Sequence, residues 1–201
     1  MQSNTVNLSR VVDISSGLPL NRKAMENPLL TGEGYTNISY KCITNDGRID
    51  KTLLERFESK EKLDQKYLVQ PGDIIMKQMK PYVAICITEE FDKLLIPDNF
   101  YILRVKEEER FLPEFLVAFI NTPHVQHRIE RLSMSAFIPK LLKKDLEILE
   151  VPIVDVQRQK QIVNMNSIFS KKERILNEML NNLFAIRQGI NEELFQLKKR
   201  R

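Results

Sequence analysis

The residue types that most often carry catalysis are sparse in this sequence. It has two histidines, His124 and His127, and two cysteines, Cys42 and Cys86. Neither pair has the ligand spacing of a zinc site. The glycines form no phosphate-binding loop, no dinucleotide fingerprint and no nucleophile elbow. We therefore expect a chain that catalyses nothing by itself and that holds no metal ion.

Side chains suited to recognition are better represented, in three polar segments at residues 35–41, 77–80 and 133–140. Lys and Arg neutralise phosphates, Ser and Asn hydrogen-bond to phosphates or bases, and Gln pairs with adenine in the major groove. A solvated loop is the ordinary alternative for each segment. With a basic pair nearer the start of the chain, the candidate DNA-contacting residues are Arg22, Lys23, Asn37, Ser39, Lys41, Lys77, Gln78, Lys80, Ser133, Ser135 and Lys140.

The composition is that of an ordinary folded domain. The chain has 201 residues, of which 42% are hydrophobic and 29% charged. No apolar run approaches the roughly 20 residues of a membrane helix, and residues 1–10 lack the features of a secretory signal. Two cysteines do not make a disulfide framework. We therefore expect reduced thiols, a cytoplasmic location and no membrane partner.

The net charge of +4 is unevenly distributed. Residues 156–201 contain ten Lys or Arg and four Asp or Glu, a local charge of +6, which leaves −2 for residues 1–155. A basic segment favours nucleic acid or another acidic partner, although a basic helix end that complements the helix dipole explains the charge equally well. Since the rest of the chain is slightly acidic, any DNA-binding surface on it has to be a local patch.

The elements that would position these residues change character near residue 112. Before it, Gly and Pro separate short β-rich runs, which predict strands at residues 11–14, 35–43, 67–69, 74–76, 82–87 and 100–105. The charged residues 51–66 predict a short surface helix or an ordered loop. After residue 112, Pro113 and Pro123 suit the first positions of two helices, and residues 146–153 predict a returning strand. Residues 1–154 are therefore expected to form an α+β globular domain.

Residues 155–201 predict one long helix with Asp155 as its N-cap. Apolar residues recur every seven positions at Ile162, Phe169, Leu176, Leu183 and Ile190, and this is the a series of a coiled coil. Met165, Met179 and Ile186 occupy d positions, while Lys172 and Glu193 interrupt that series. A helix with such a stripe needs a partner, so these residues are the predicted dimer contacts. Packing against another protein, or back onto the chain's own domain, stays an alternative.

The order of the segments resembles that of type I restriction–modification DNA specificity subunits. Each motif is unspecific alone, but seven occur in the family's order across nearly the whole chain. They are Ile-Ser-Ser-Gly at residues 14–17, Pro-Gly-Asp-Ile-Ile at 71–75, Asn-Phe-Tyr-Ile-Leu-Arg at 99–104, Ile-Asn-Thr-Pro at 120–123, Ile-Pro-Lys-Leu with Asp-Leu at 138–146, Val-Pro-Ile at 151–153 and Gln-Lys-Gln-Ile-Val at 159–163. Ser-Met-Ser at residues 133–135 departs from the Gly-Ser or Gly-Thr pair that the family usually has there.

The resemblance implies a function for the chain. It implies a target-recognition domain with a curled β-sheet that docks on double-stranded DNA, followed by a spacer helix that meets a methyltransferase subunit and, in some complexes, a restriction subunit. S-adenosylmethionine would belong to the methyltransferase, and this chain would need no cofactor. Members of the family usually carry two recognition domains and two such helices. A chain with one of each would restore that arrangement as a homodimer that reads a bipartite site.

Two other readings remain open from the sequence. The chain could be a silent specificity cassette that folds without a dedicated methyltransferase. It could also be a coiled-coil interaction module with no role at DNA. The three readings share the fold and differ in whether the polar segments contact DNA.

Overall fold

The computed structural model describes residues 4–24, 32–44, 47–88, 91, 93–107, 109–134 and 139–195. In this part of the chain the strands are β1 (Thr5–Asn7), β2 (Val12–Ser16), β3 (Glu33–Asn37), β4 (Glu55–Ser59), β5 (Ile74–Lys77), β6 (Ala84–Cys86), β7 (Leu94–Leu95), β8 (Phe100–Val105) and β9 (Glu150–Pro152). The helices are α1 (Leu8–Val11), α2 (Pro113–Ile120), α3 (Pro123–Ser133), α4 (Lys143–Glu147) and α5 (Val156–Leu194). Four short 3-10 turns complete them at Leu20–Arg22, Tyr40–Cys42, Lys51–Leu53 and Gln65–Tyr67.

The central sheet has the strand order β2-β8-β5-β6, and its neighbouring strands are antiparallel. All four residues of β5 are buried, which agrees with their nearly continuous apolar sequence. Alternate residues supply two separate cores: Ile74 and Met76 pack towards the helices, whereas Ile75 packs on the opposite side. This confirms the expected α+β class and places most of the hydrophobic core on the two faces of one sheet.

The second sheet, of order β4-β3-β7, corrects the expectation for residues 51–66. That segment forms a 3-10 turn and then β4, whose five residues pair antiparallel with β3. Its apolar residues have helix-like spacing, but the edge of β3 offers backbone hydrogen bonds that a surface helix would leave unmade. Curled open sheets and a long helix following them match the predicted fold class.

An ion pair joins the central strands where β5 begins. The Arg104 guanidinium donates from Nε to Asp73 Oδ1 at 2.8 Å and from Nη2 to Asp73 Oδ2 at 3.1 Å. Nη2 also donates to the Leu68 carbonyl at 3.1 Å, and Asp73 accepts the Gln70 backbone N–H at 2.9 Å. The Asp73 side chain is only 4% exposed, so its charge depends on these donors. The Pro-Gly-Asp and Leu-Arg motifs are thus two halves of one contact.

Two glycines in the motifs are required by the backbone. Gly72 has φ of +90°, a left-handed conformation that side chains disfavour, in the turn that leads to Asp73. A Cβ on Gly17 would lie 2.1 Å from the carbonyl oxygen of Pro97. The backbone cannot easily move away to make room for a side chain, because the N–H of Gly17 donates to the Phe100 carbonyl at 3.1 Å at the end of β2.

Two side-chain amides act as backbone partners. Asn121 accepts the N–H of Ala84 at 3.0 Å and donates to its carbonyl at 2.7 Å, which pairs the outer strand β6 as a further strand would. Gln159, fully buried on α5, accepts the backbone N–H of Leu112 at 2.9 Å. Its Nε2 donates to the backbone carbonyls of Arg110 at 2.7 Å and Val154 at 3.0 Å. The Ile-Asn-Thr-Pro and Gln-Lys-Gln-Ile-Val motifs therefore fix β6 and the start of α5.

The second half of the chain is largely as expected, with one correction. Pro113 and Pro123 open α2 and α3, and Asp155 accepts the backbone N–H of Arg158 at 2.8 Å as an N-cap does. Residues 146–153 are not one strand: α4 ends at Glu147, and only Glu150–Pro152 pairs, with β1. Leu146 and Leu149 are both buried in the core between the central sheet and the helices, which we call the helix-side core. A helical turn places residues three positions apart on the same side, whereas a strand places them on opposite faces.

The chain divides into two compact units, Met1–Val163 and Asn164–Arg201. The first unit reaches beyond the expected domain end at residue 154, because Ile162 and Val163 on α5 pack against the helix-side core. In the second unit, the large apolar side chains from Met165 to Phe195 are 46–72% exposed. Among the described residues, no helix has both the length and the apolar composition needed to cross a membrane.

We expect Asp73→Ala to lower the free energy of unfolding by about 2 kcal/mol, because it leaves Arg104 without its carboxylate and the Gln70 N–H without an acceptor. Urea unfolding followed by circular dichroism measures this. Asp13→Ala is the matched control, since its ion pair with Lys106 lies at the surface. Equal effects of the two substitutions would contradict the role assigned to Asp73.

Candidate nucleic-acid interface

The three polar segments singled out in the sequence lie beside one another in the structure. The hydroxyl of Tyr40, in the first segment, donates to the Asn99 carbonyl at 2.7 Å and accepts the backbone N–H groups of Gln78 and Met79, both at 3.1 Å. The Gln78 carbonyl in turn accepts the N–H of Leu141 at 2.8 Å. One chain of hydrogen bonds thus links residues 40, 78–79 and 141.

Ion pairing and a buried hydroxyl contact join the second and third segments further. Lys80 pairs with Glu130 on α3, which raises the pKa of the Lys80 ammonium and lowers the pKa of the Glu130 carboxyl. The Tyr82 hydroxyl contacts Ser133 at 2.5 Å, and Ser133 donates to the Glu130 carbonyl at 2.8 Å. We call residues 39–41, 78–80, 133–134 and 139–142 together the three-segment surface.

Lys77 and Gln78, two of the candidate DNA contacts from the sequence, are buried in the structure. Lys77 is 5% exposed, its ammonium lies 5.4 Å from the centre of the Tyr40 ring, and it donates to the Ile43 carbonyl at 3.3 Å. Burial lowers the pKa of Lys77. Gln78 donates through Nε2 to the Phe100 carbonyl at 2.9 Å. In this structure both side chains support the turn from inside, so a DNA contact by either remains a prediction.

The other candidates divide by exposure. Lys41, Lys80 and Lys140 are exposed on the three-segment surface. Ser133 is buried and its hydroxyl is used inside the domain. Ser135 lies outside the described residues. The surface therefore offers three lysines, one of which already has a carboxylate partner.

Asn37 and Ser39 face a neighbouring cavity of about 330 Å³, which residues 19–21 and Asn99 also line. Asn37 is 7% exposed and donates to Glu55 at 3.5 Å, while Ser39 contacts the Cys42 thiol at 3.3 Å. Of the basic pair, Arg22 closes the adjoining 3-10 turn, and Lys23 pairs with Glu61. The cavity thus brings the first polar segment close to the turn that contains Arg22.

Sequence reasoning missed Tyr40 and the apolar part of the surface. Tyr40 had no distinguishing signal, since a tyrosine beside a strand is usual; its hydroxyl becomes important only where three backbone groups converge on it. Burial raises its pKa. Met79, Leu142 and Met134 are 39%, 39% and 66% exposed around the lysines. Met134 is therefore on the surface.

The described residues contain no group of three or more His, Cys, Asp or Glu side chains arranged to hold a metal ion. His124 and His127 are exposed on α3, and His127 Nδ1 lies 3.8 Å from Glu130. Burial raises the pKa of the Cys86 thiol to about 12, and Cys42 donates to the Leu53 carbonyl at 3.0 Å. An exposed basic and apolar patch on a turn that is held by internal hydrogen bonds is suited to binding an anionic polymer.

Solved structures share this architecture. One, from work on complex assembly and conformational transition of the type I R-M system, matches with a TM-score of 0.64 at 17% identity over 96% of this chain and 44% of that chain. The HsdS subunit from Thermoanaerobacter tengcongensis gives 0.62 at 16% identity, over 96% and 47%. The type I S subunit from M. genitalium gives 0.57 at 18% identity, over 98% and 46%. The chain thus has the fold of a type I S subunit and spans about half the length of these structures.

The family follows from the sequence match. The family model for the type I restriction modification DNA specificity domain matches residues 3–184. The chain therefore belongs to that family, and DNA sequence recognition is the role of its domain. Among curated proteins, none matches this sequence.

We expect Tyr40→Phe to loosen the turn at residues 78–80 more than it destabilises the whole domain. It removes the acceptor of the Met79 N–H, a loss of about 1–2 kcal/mol, and hydrogen exchange at Met79 should quicken selectively. Tyr35→Phe is the matched control, because the Tyr35 hydroxyl accepts a backbone N–H from Leu63 at 2.8 Å. Unchanged exchange at Met79 in Tyr40→Phe would refute the bridging role.

Proposed function

We propose that this chain is a DNA-sequence recognition subunit of a type I adenine methyltransferase or restriction complex, and that two copies act together on a bipartite site in the cytoplasm. The observation that carries the proposal is the three-segment surface in a chain of the specificity family. Its turn is held from inside by Tyr40 and Lys77, and its exposed side chains include Lys41, Lys80 and Lys140. A rigid turn with exposed lysines holds a fixed position against phosphates.

The unpaired face of α5 supports a second copy as the partner. Phe169, Leu176 and Leu183 are each more than 60% exposed, and Ile190 is about half exposed. Burying one leucine or phenylalanine side chain is worth about 1.5–3 kcal/mol, so the a series alone supplies enough for a stable helix pair. Ile162, the first of the predicted dimer contacts, is instead half-buried against its own domain, so the exposed stripe starts at Met165.

Charges along α5 favour an antiparallel pair. In a parallel pair each d residue faces its own copy, so Lys172 would face Lys172 and Glu193 would face Glu193, and both layers would repel. In an antiparallel pair, the a residues of one helix pack beside the d residues of the other. When Leu183 lies beside the partner's Met179, Lys172 and Glu193 each lie beside an apolar a residue of the partner. The charged residues at e positions, Glu173 and Arg187, then face each other across the pair. Within the described part of the chain neither has an ion-pair partner, so both are free for this contact.

Methyl transfer would belong to a partner subunit in this proposal. The chain would supply DNA recognition and a helical platform, the methyltransferase would bind S-adenosylmethionine, and a restriction subunit would join complexes that also cleave. A two-fold symmetric dimer would read two identical half-sites in inverted orientation, so the target would be palindromic with a fixed gap.

We expect the double variant Leu176→Glu and Leu183→Glu to be monomeric at micromolar concentration, because four carboxylates would enter the helix pair and four leucines would leave it. Sedimentation equilibrium measures the change, and the dissociation constant should rise at least 100-fold. The matched control is Asn181→Glu with Gln188→Glu, which adds the same charge at f positions facing away from a partner. A dimer that survives in the first variant would refute pairing through the a series.

We expect deletion of the gene to remove adenine methylation from one bipartite motif, measured by long-read sequencing with and without the gene. Complementation with wild type or with Lys66→Glu should restore the motif, whereas Lys80→Glu with Lys140→Glu should not. Lys66 is exposed and lies two residues before Leu68, whose carbonyl accepts from Arg104 at the end of the β5–β8 ladder opposite to the three-segment surface. If no motif depends on the gene, the chain is a silent cassette or an interaction module. Thermal unfolding of each variant excludes loss of fold as the cause.

A further inference from the structure

A groove of about 980 Å³ runs beside the start of α5. Its walls combine the aliphatic side chains Val105, Ile153, Val154 and Val156 with five charged residues. The charged residues are Lys106, Glu107, Glu109, Arg110 and Asp155, which give the groove a net charge of −1. None of its lining residues belongs to the three-segment surface.

The cations of the groove are engaged, and two of its anions are not. Lys106 pairs with Asp13 at 3.2 Å and donates to the Ser9 carbonyl at 2.8 Å. Arg110 lies 3.9 Å from Glu107 and over the ring of Phe111. Among the described residues no cationic side chain pairs with Glu109, and Asp155 accepts only a backbone N–H, from Arg158. The groove is therefore suited to a ligand that is positively charged and has aliphatic stems.

The chain itself contains such a segment. Residues 198–201 read Lys-Lys-Arg-Arg, and they directly follow the apolar stripe of α5. Asp155 occupies the a position one heptad before Ile162, so the groove lies where the stripe would begin. The basic segment and the acidic groove are thus at opposite ends of one heptad pattern.

The antiparallel register connects them between two copies. With Leu183 beside the partner's Met179, paired residue numbers sum to 362, so Leu194, where α5 ends, falls level with residue 168 of the other copy. Residue 168 is 13 positions from Asp155, about 20 Å along a helix. Residues 195–201 can span up to about 23 Å, so residues 198–201 come within reach of the groove, and the stems of their Lys and Arg side chains suit its aliphatic wall.

We infer that the groove receives residues 198–201 of a second copy of this chain, which pair with Glu109 and Asp155 and close the helix pair at both ends. The inference rests on the proposed homodimer. The inference assigns residues 198–201 to a protein contact, although their positive charge alone would also suit DNA phosphates.

A charge exchange tests this contact on the full-length chain. Lys198→Glu with Lys199→Glu reverses the segment, and Glu107→Lys with Glu109→Lys reverses the groove without touching the N-cap Asp155. At low ionic strength we expect each double variant to raise the dimer dissociation constant about ten-fold, because each exposed ion pair contributes modestly and the contact occurs twice. The variant that combines all four changes should return to within about three-fold of wild type.

The matched control is Lys143→Glu with Lys144→Glu, the same charge change on the exposed part of α4, which should leave dimerisation unchanged. Sedimentation equilibrium gives the dissociation constants, and fluorescence anisotropy with the methylated motif gives DNA affinity. If wild type is monomeric, the homodimer itself is refuted. If wild type is dimeric and the segment and groove variants dimerise equally well, only the groove contact is refuted. Loss of DNA affinity with an unchanged dimer would assign residues 198–201 to DNA and overturn the inference.

Discussion

The pair between Asp73 and Arg104 constrains the register on which the rest of the domain depends. Since Ile74 lies opposite Leu103, the two charged residues face each other at one end of the β5–β8 ladder. Both faces of β5 are buried, so a slip of one residue would exchange the side chains of the two cores. The same register sets Lys77 opposite Phe100 at the far end and brings Gln78 to Asn99. The turn of the candidate interface is therefore positioned by an ion pair at the other end of the strand.

The motifs that carry the family resemblance turn out to be structural contacts. Asp73 and Arg104 hold the sheet, Asn121 completes its outer strand, and Gln159 fastens α5 to the segment before α2. Each satisfies buried backbone or charged groups that would otherwise be costly. The exposed lysines of the three-segment surface lie on turns and loops instead, where side chains change without loss of these contacts. A scaffold of this kind allows one fold to present different recognition surfaces.

The second unit depends on a different kind of interaction. Its large side chains are exposed within one copy, so in the proposed pair their burial against the second copy would supply the hydrophobic stabilisation. The charges at Lys172, Glu173, Arg187 and Glu193 add little energy but distinguish orientations. Stability and orientation of the proposed pair are thus carried by different residues, and an acidic groove at its end adds a further selective contact.

The sequence alone determined the elements whose signals are local. The periodicity of α5, the prolines that open α2 and α3, and the apolar runs of β5 and β8 each depend on neighbouring residues, and all are confirmed. The family also followed from the order of short motifs, before any of their contacts was known.

Tertiary structure alone decided what depends on distant partners. Residues 51–66 have helix-like spacing, yet β4 forms because β3 offers it a free edge. Residues 146–153 became α4 and a short β9, because two buried leucines require a helical turn. Lys77 is a candidate DNA contact by sequence, but its side chain is buried, because the Tyr40 ring and the Ile43 carbonyl stabilise its ammonium group. Burial of a polar side chain is set by neighbours that are far away in sequence, and no local pattern records them.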